Sequence, residues 1–411
     1  MKPEFNILNF SRKKYSENYA DFAVIILTVV LTIFGVIMVF SASYYKSIND
    51  TGSPYSYLWK QLFFAISGFV IMYMFSKIDY HLLKKLNRII AAGSLALLAL
   101  VIIPGVGTTV NGSTRWLNFG PMTIMPGEVA KVAVICFLAS YFSDNVDKIK
   151  TFKGIVTLIL ATLLPVALII KQPNLSTALT VLGIAFGIAF VAGLSWKWVA
   201  ACIGMLGVLI MYVAGSDGYQ AERIKSFMDP FADPKGDGFH AVQSLLALGT
   251  GGIKGLGLGK SVQKNLYLPE PQNDFIFAIV GEELGLIGAL VFIVVMILLI
   301  YKCFMTALDA KDSFGMLIAS GITFMIGIQV ILNIAVVTSS MPPTGIALPF
   351  ISYGGNSLWI FMASMGVLLN IGKQGRKAQP VSDEDLMKSE EKRRLIREKL
   401  RKRSQRQQRG A

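Results

Sequence analysis

The chain has 411 residues, 54% of them hydrophobic and only 16% charged, with a mean hydropathy of +0.57 and a formal net charge of +14. Soluble domains carry roughly 25% charged residues, so a soluble fold is excluded and an all-α, polytopic integral membrane protein is expected. Cys136, Cys202 and Cys303 fall in apolar runs and His81 and His240 lie far apart, which excludes a disulfide framework and a His/Cys metal cage.

A spanning helix needs about 20 mostly apolar residues. Ten candidate runs follow one another along the chain, at 21–44, 58–76, 87–104, 127–142, 154–170, 176–193, 197–214, 275–303, 314–337 and 356–372. The first is longer than the core of a secretion signal and no convincing cleavage site follows it, so it is read as a span. The eighth is long enough to tilt or to begin outside the bilayer. Between the seventh and eighth runs lies the polar loop 215–274, and structureless loops above about 15 residues are uncommon unless functional. The expected divisions are an N-terminal segment 1–20, a membrane domain 21–372 and a tail 373–411.

Orientation follows from Lys and Arg in the short loops. Lys77, Lys84, Lys85, Arg88, Lys148, Lys150, Lys153, Lys302 and Lys311 share one side with both ends of the chain, whereas the short loops opposite hold only Lys46, Arg115 and Lys171. The first side is expected to be cytoplasmic, which places 215–274 outside. From Lys373 onward there are fourteen basic and six acidic residues, a net of +8. Such a tail is expected to lie near anionic lipid, at about 1 kcal/mol per basic residue, or to dock a cytoplasmic partner. No aromatic platform accompanies the charge, so nucleic acid is not an expected partner.

The outer loop ends in a glycine-rich stretch (Gly249, Gly251, Gly252, Gly255, Gly257, Gly259) that suits either close backbone approach to a ligand or a flexible turn. It then runs through Leu268-Pro269-Glu270-Pro271-Gln272-Asn273-Asp274 into the eighth span. Charged groups at the bilayer centre cost about 2.5–3.5 kcal/mol, and those that persist are functional candidates. Glu128 and Lys131 stand at i and i+3 near the outer end of the fourth span, where they can pair on one face. Glu282 and Glu283 lie in the eighth span, with Glu282 read as a structural or proton-linked carboxylate. The uncharged run Met341–Gly355, broken by Pro and Gly, is expected to fold back into the outer leaflet, because irregular backbone survives there only when buried in protein or lining a wet cavity. That run shares one membrane face with Asp274 and with the polar outer segments Asn111–Trp116 and Lys171–Asn174, and a common outer cavity is the economical reading.

Several motifs occur in order: Asn111-Gly112…Arg115-Trp116, Pro126-Gly127-Glu128…Lys131, Gln172-Pro173-Asn174…Ser176-Thr177, Gln243-Ser244, Gly255…Gly259, Leu268-Pro269-Glu270…Asp274-Phe275, Glu282-Glu283-Leu284-Gly285 and Leu348-Pro349-Phe350…Ser352-Tyr353-Gly354-Gly355. On these the chain resembles the SEDS family (the FtsW, RodA and SpoVE group) over residues 20–372, closest to the FtsW/SpoVE type. Departures are Gln272-Asn273 for the family's His-Thr, Phe239-His240 for Tyr-Gln, Asn174 for Asp, Ser176 for Gly and Gly127 for Ser.

The resemblance implies a ten-helix fold in a bacterial inner membrane and polymerisation of lipid II into glycan strands at the outer face, in division or sporulation. It implies a class B penicillin-binding protein as partner transpeptidase, with divisome proteins reached through the basic tail. Asp274 matches the family's key acidic residue and is expected to be the general base, against the alternative of a helix N-cap. Arg115, Glu128, Lys131, Gln243, Ser244, Glu270 and Ser352 are the expected substrate-binding residues. A divalent cation, Mg or Mn, is the one cofactor this chemistry would use, held near Glu270. The rival readings are a lipid II flippase, which needs a polar route across the bilayer, and a scaffold without catalysis.

Overall fold

The structure is a computed structural model, and it describes residues 19–378 apart from 111–112, 120–121, 145, 196–197, 199–226, 228, 235, 237 and 344. The described residues form α1 (Tyr19–Thr51), α2 (Ser56–Lys77), α3 (His81–Ile102), α4 (Pro126–Ser143), α5 (Phe152–Lys171), α6 (Leu175–Val191), α7 (Phe239–Gly251), α8 (Ile276–Leu308), α9 (Ser313–Val337) and α10 (Gly355–Ala378). Eight of these are long and apolar enough to cross a membrane, and α6, with 17 residues, is a shorter apolar helix. They coincide with nine of the ten predicted runs; the run at 197–214 lies, apart from Trp198, outside the described residues.

Helix starts follow local chemistry. Asn174 caps α6 by accepting from Thr177 N–H (3.2 Å), and Asp312 caps α9 by accepting from Gly315 N–H (2.7 Å). The carboxylate-to-amide departure at 174 therefore keeps a capping acceptor. Pro126 opens α4, where its missing N–H costs nothing. The bundle is layered. α4 and α9 are interior, with 72% and 67% of their spans buried, whereas α3 presents most of its surface outward, at 17%.

Two features depart from a pure helix-and-loop reading. Between α3 and α4 the chain forms a three-stranded antiparallel sheet, β1 (Gly107–Val110), β2 (Ser113–Phe119) and β3 (Met122–Ile124), with Thr108 opposite Trp116 and Leu117 opposite Ile124. In addition, α7 lies within the predicted outer loop and packs on α8.

The glycine-rich stretch after α7 does approach another backbone closely, but that backbone is the protein's own. α8 breaks at Gly285 (φ 69°, ψ −172°). The break frees backbone groups that the bilayer cannot solvate, and residues 252–257 take them up. Leu256 N–H donates to Glu282 O (3.0 Å) and Gly257 N–H to Glu283 O (2.9 Å), while Leu286 N–H donates to Gly252 O (2.9 Å). A Cβ at Gly255 would lie 2.3 Å from the Glu283 carbonyl oxygen. The expected close approach to a ligand is thus corrected to a strand-like seal on a broken helix.

Candidate active site

Asp274 ends the loop that enters α8, and it is not the N-cap. That position is Phe275, which makes no side-chain cap, and α8 begins at Ile276. Three successive carbonyls of the loop are held from the α9–α10 side. Tyr353 N–H donates to Gln272 O (2.9 Å), Ser352 Oγ to Asn273 O (2.6 Å) and Asn333 Nδ2 to Asp274 O (2.8 Å). Ser352 Oγ also accepts from Leu348 N–H (2.8 Å), and Asn333 Nδ2 also donates to Ile346 O (2.7 Å), so the fold-back segment and the loop form one unit.

Side chains complete the loop. Glu270 adopts φ +50°, a left-handed conformation that a non-glycine residue takes only when neighbours impose it. Its carboxylate pairs with Lys46 of α1 and accepts from Gln272 Nε2 (3.1 Å) and Asn273 Nδ2 (2.6 Å). Arg115, on β2, donates to the carbonyl of Pro173 at the α5–α6 turn. Gly345 (φ +72°) sits beneath both charged groups, and a Cβ there would lie 3.3 Å from Asp274 Oδ2 and 3.9 Å from Arg115 Nη1. Acid and guanidinium thus flank one point above a residue with no side chain. Asp274 is half-buried. Loss of hydration, then the Glu270 charge, push its carboxyl up to about 6, opposed by the Arg115 guanidinium.

The other expected site residues fall into two groups. Lys131 is buried in the bundle, where its ammonium donates to Glu128 Oε1 (2.7 Å) and Gln329 Oε1 (2.9 Å) and lies 5.9 Å from the Phe361 ring. Glu128 Oε2 and Gln329 Nε2 are buried with no protein partner among the described residues. Ser244, fully buried on α7, donates to Val337 O (2.7 Å), and Ser352 braces the loop, so both hydroxyls are engaged with backbone. Gln243 is half-buried on α7 beside Ser244. Glu282 accepts from the N–H of Val262 (3.0 Å) and Gln263 (3.3 Å) and from the hydroxyl of Ser261, whereas Glu283 pairs with Lys264 (2.8 Å) and accepts from Ser41 (2.6 Å). Both carboxylates tie residues 261–264 to α8, and Glu283 also reaches α1 through Ser41.

Residues 22–377 match the model of the FtsW, RodA and SpoVE family, described as cell cycle protein. The chain belongs to this family. It is 39% identical over 360 residues to a probable peptidoglycan glycosyltransferase FtsW of Geobacter sp. (strain M18), and 39% identical over 359 residues to stage V sporulation protein E of Bacillus subtilis (strain 168), with 87% of this chain and 98% of each relative covered. Its architecture is similar to a chain of a peptidoglycan synthase complex that coordinates polymerization and crosslinking (TM-score 0.73, 27% identity, 86% and 98% covered). It is also similar to the rod shape determining protein RodA of Thermus thermophilus (TM-score 0.64, 26% identity, 85% and 96% covered).

Within this FtsW/RodA/SpoVE member, sequence reasoning missed Lys46, Lys264, Asn333 and Gly345. Lys46 carried a signal, being one of few basic residues in the short loops of the Asp274 face. Asn333 is a polar side chain inside an apolar span, which is itself a reason to look. Lys264 and Gly345 gave none, because only the fold brings Lys264 to Glu283 and Ser41, and Gly345 to Asp274 and Arg115.

Proposed function

We propose that this protein is a peptidoglycan glycosyltransferase that polymerises lipid II at the outer face of the bacterial inner membrane, with Asp274 as general base. The observation that carries this reading is the placement of the Asp274 carboxyl and the Arg115 guanidinium on one point above Gly345, where lost hydration pushes the carboxyl up to about 6. A carboxylate in that range is ionised at neutral pH and still basic enough to accept a proton in the transition state. The acceptor sugar hydroxyl loses its proton to Asp274 as its oxygen bonds to the anomeric carbon of the donor. The bond from that carbon to the undecaprenyl pyrophosphate breaks, and the leaving group takes the electron pair. Arg115 stands where it can balance that developing charge. Glu270 holds the loop through Lys46, and buried Glu128 and Gln329 each keep a polar atom for a polar group of the substrate or a water.

Among the described residues no group of three or more His, Cys, Asp or Glu side chains could hold a metal by itself. Magnesium is commonly bound by one or two carboxylates together with substrate phosphates, so the donor set fits a Mg or Mn ion that arrives with the pyrophosphate. Glu270, beside the site, would help hold it, and it would supply charge neutralisation on the leaving group.

The short loops that hold Lys77, Lys84, Lys85, Arg88, Lys148, Lys150, Lys153, Lys302 and Lys311 are assigned to the cytoplasm with both termini, and the membrane domain to 21–372. A class B penicillin-binding protein is assigned as the partner that cross-links the strands. The basic tail 373–411 is assigned to divisome proteins or anionic lipid, and 379–411 lies outside the described residues. The test is polymerisation in vitro: purified protein with its cognate transpeptidase and labelled lipid II should give glycan strands on a gel, and Asp274→Ala should give none. Strands from the variant at normal yield would remove the assignment. Lipid II movement between leaflets without polymer would favour the flippase reading.

A further inference from the structure

On the membrane face opposite Asp274 the ends of three elements enclose a cavity of about 440 Å3. Lys77 and Asp79 come from the end of α2, Lys311 from the α8–α9 turn, and Asn370, Lys373 and Gln374 from α10. The volume falls within the roughly 300–1,000 Å3 of small-molecule sites. None of these residues takes part in the chemistry above.

The charges here do not cancel. Asp79 is committed locally, accepting from the His81 N–H (3.0 Å), from His81 Nδ1 (2.7 Å) and from Gln374 Nε2 (3.0 Å). The carboxylates on neighbouring elements are also engaged, Asp312 with Tyr80 (2.6 Å) and His81 (2.9 Å), and Asp144 with Lys84 (2.7 Å). Among the described residues no carboxylate oxygen lies within 4.0 Å of the ammonium of Lys77, Lys311 or Lys373. The amides are used internally as well, with Asn370 Nδ2 on Ser76 O (3.0 Å) and Gln374 Nε2 on Asn370 Oδ1 (3.0 Å). What remains for a ligand is cationic.

Beside the cavity, the last turn of α2 exposes apolar surface. Tyr73 is 63% exposed, Met74 54%, and the Lys77 ammonium lies 5.1 Å from the Tyr73 ring. A cationic pocket continuous with an outward apolar flank suits an amphiphile better than a free ion, and basic pockets between the cytoplasmic ends of membrane helices hold lipid headgroups in this way. We propose that Lys77, Lys311 and Lys373 bind the phosphate of an anionic phospholipid from the leaflet opposite the active site. The occupied pocket joins the ends of α2 and α10 to the α8–α9 turn, at the far end of the helix that descends from the Ser352–Gly355 fold-back.

The full-length protein in phosphatidylcholine nanodiscs is titrated with phosphatidylglycerol, and bound lipid is counted by native mass spectrometry. The Lys77→Gln/Lys311→Gln/Lys373→Gln variant should bind at least ~10-fold more weakly. A control that removes the same charge from the same face, Lys85→Gln/Arg88→Gln/Lys153→Gln, should change binding less than about twofold, because those charges lie outside the pocket. Replacing the three lysines by arginine should retain binding. Lys311→Glu alone gives a smaller loss of the same sign, and it serves if the triple variant does not fold. Equal losses in pocket and control variants would overturn the proposal. So would inorganic phosphate displacing phosphatidylglycerol at equal concentration, which would make this a phosphate site and not a lipid site.

Discussion

The acid limb of the pH–rate profile should belong to Asp274, and its neighbours should move it in opposite directions. An ordinary aspartate titrates near 3.8, whereas Asp274 is pushed up to about 6 by lost hydration and by Glu270, against the pull of Arg115. At pH 5 an ordinary carboxyl is more than about nine-tenths ionised, and Asp274 only about one-tenth. Initial rates of glycan formation from lipid II, measured at limiting substrate from pH 4.5 to 8, should therefore fall about tenfold per unit below about pH 6, since kcat/KM reports the free enzyme. Glu270→Gln removes a negative neighbour and should move the limb to lower pH. Arg115→Gln removes a positive one and should move it to higher pH. Both changes will also lower the plateau, so the position of the limb is the readout. Asp274→Asn should lose roughly 10²–10⁴-fold of the plateau. A wild-type limb near 4, or limbs displaced the same way in both charge variants, would refute Asp274 as the titrating base.

Stability carries the same signature. A folded-state pKa raised above the unfolded value means that the protonated form favours folding. That contribution is complete below about pH 4 and lost as pH rises through about 6. Asp274→Asn should accordingly stabilise the fold at pH 8 by on the order of 1–2 kcal/mol after allowing for partial solvent exposure, read as a higher thermal unfolding midpoint, and leave the midpoint unchanged at pH 4. Glu283→Gln strands the Lys264 ammonium inside the protein and should destabilise by about 3–5 kcal/mol, read by thermal unfolding in detergent, whereas Glu283→Leu with Lys264→Met should cost much less. Ser352→Ala removes hydrogen bonds to Leu348 and Asn273, with an expected cost of about 1–3 kcal/mol and a drop in kcat larger than any change in KM. Gly285→Ala would place a Cβ 2.3 Å from the Gly255 nitrogen at a left-handed φ, so folded protein should not be recovered at wild-type yield.

The spanning helices were legible because their signal is local: runs of apolar residues near the length that a bilayer demands. Long-range partners were not. Nothing in Lys46 announces Glu270, 224 positions away, and nothing in Ser41 announces Glu283. The small sheet escaped because its strands are three to seven residues long and carry no sustained alternation. The glycines of the outer loop were legible as a site of close approach, but composition alone does not say to what. That answer needed the break at Gly285, which lies inside a continuous apolar run. For Asp274 the Pro-Glu-Pro approach and the following aromatic marked the position. Its environment comes from Arg115 and Gly345, whose proximity only the fold creates.

The grip on the loop is made through the carbonyls of Gln272, Asn273 and Asp274. A main-chain oxygen is indifferent to the side chain that follows it. The family's His-Thr and this chain's Gln272-Asn273 can therefore be interchanged while the attacking-group acceptor stays in place. What those two side chains must keep is a donor for Glu270, which His and Thr also offer, so this departure is no sign of a lost enzyme.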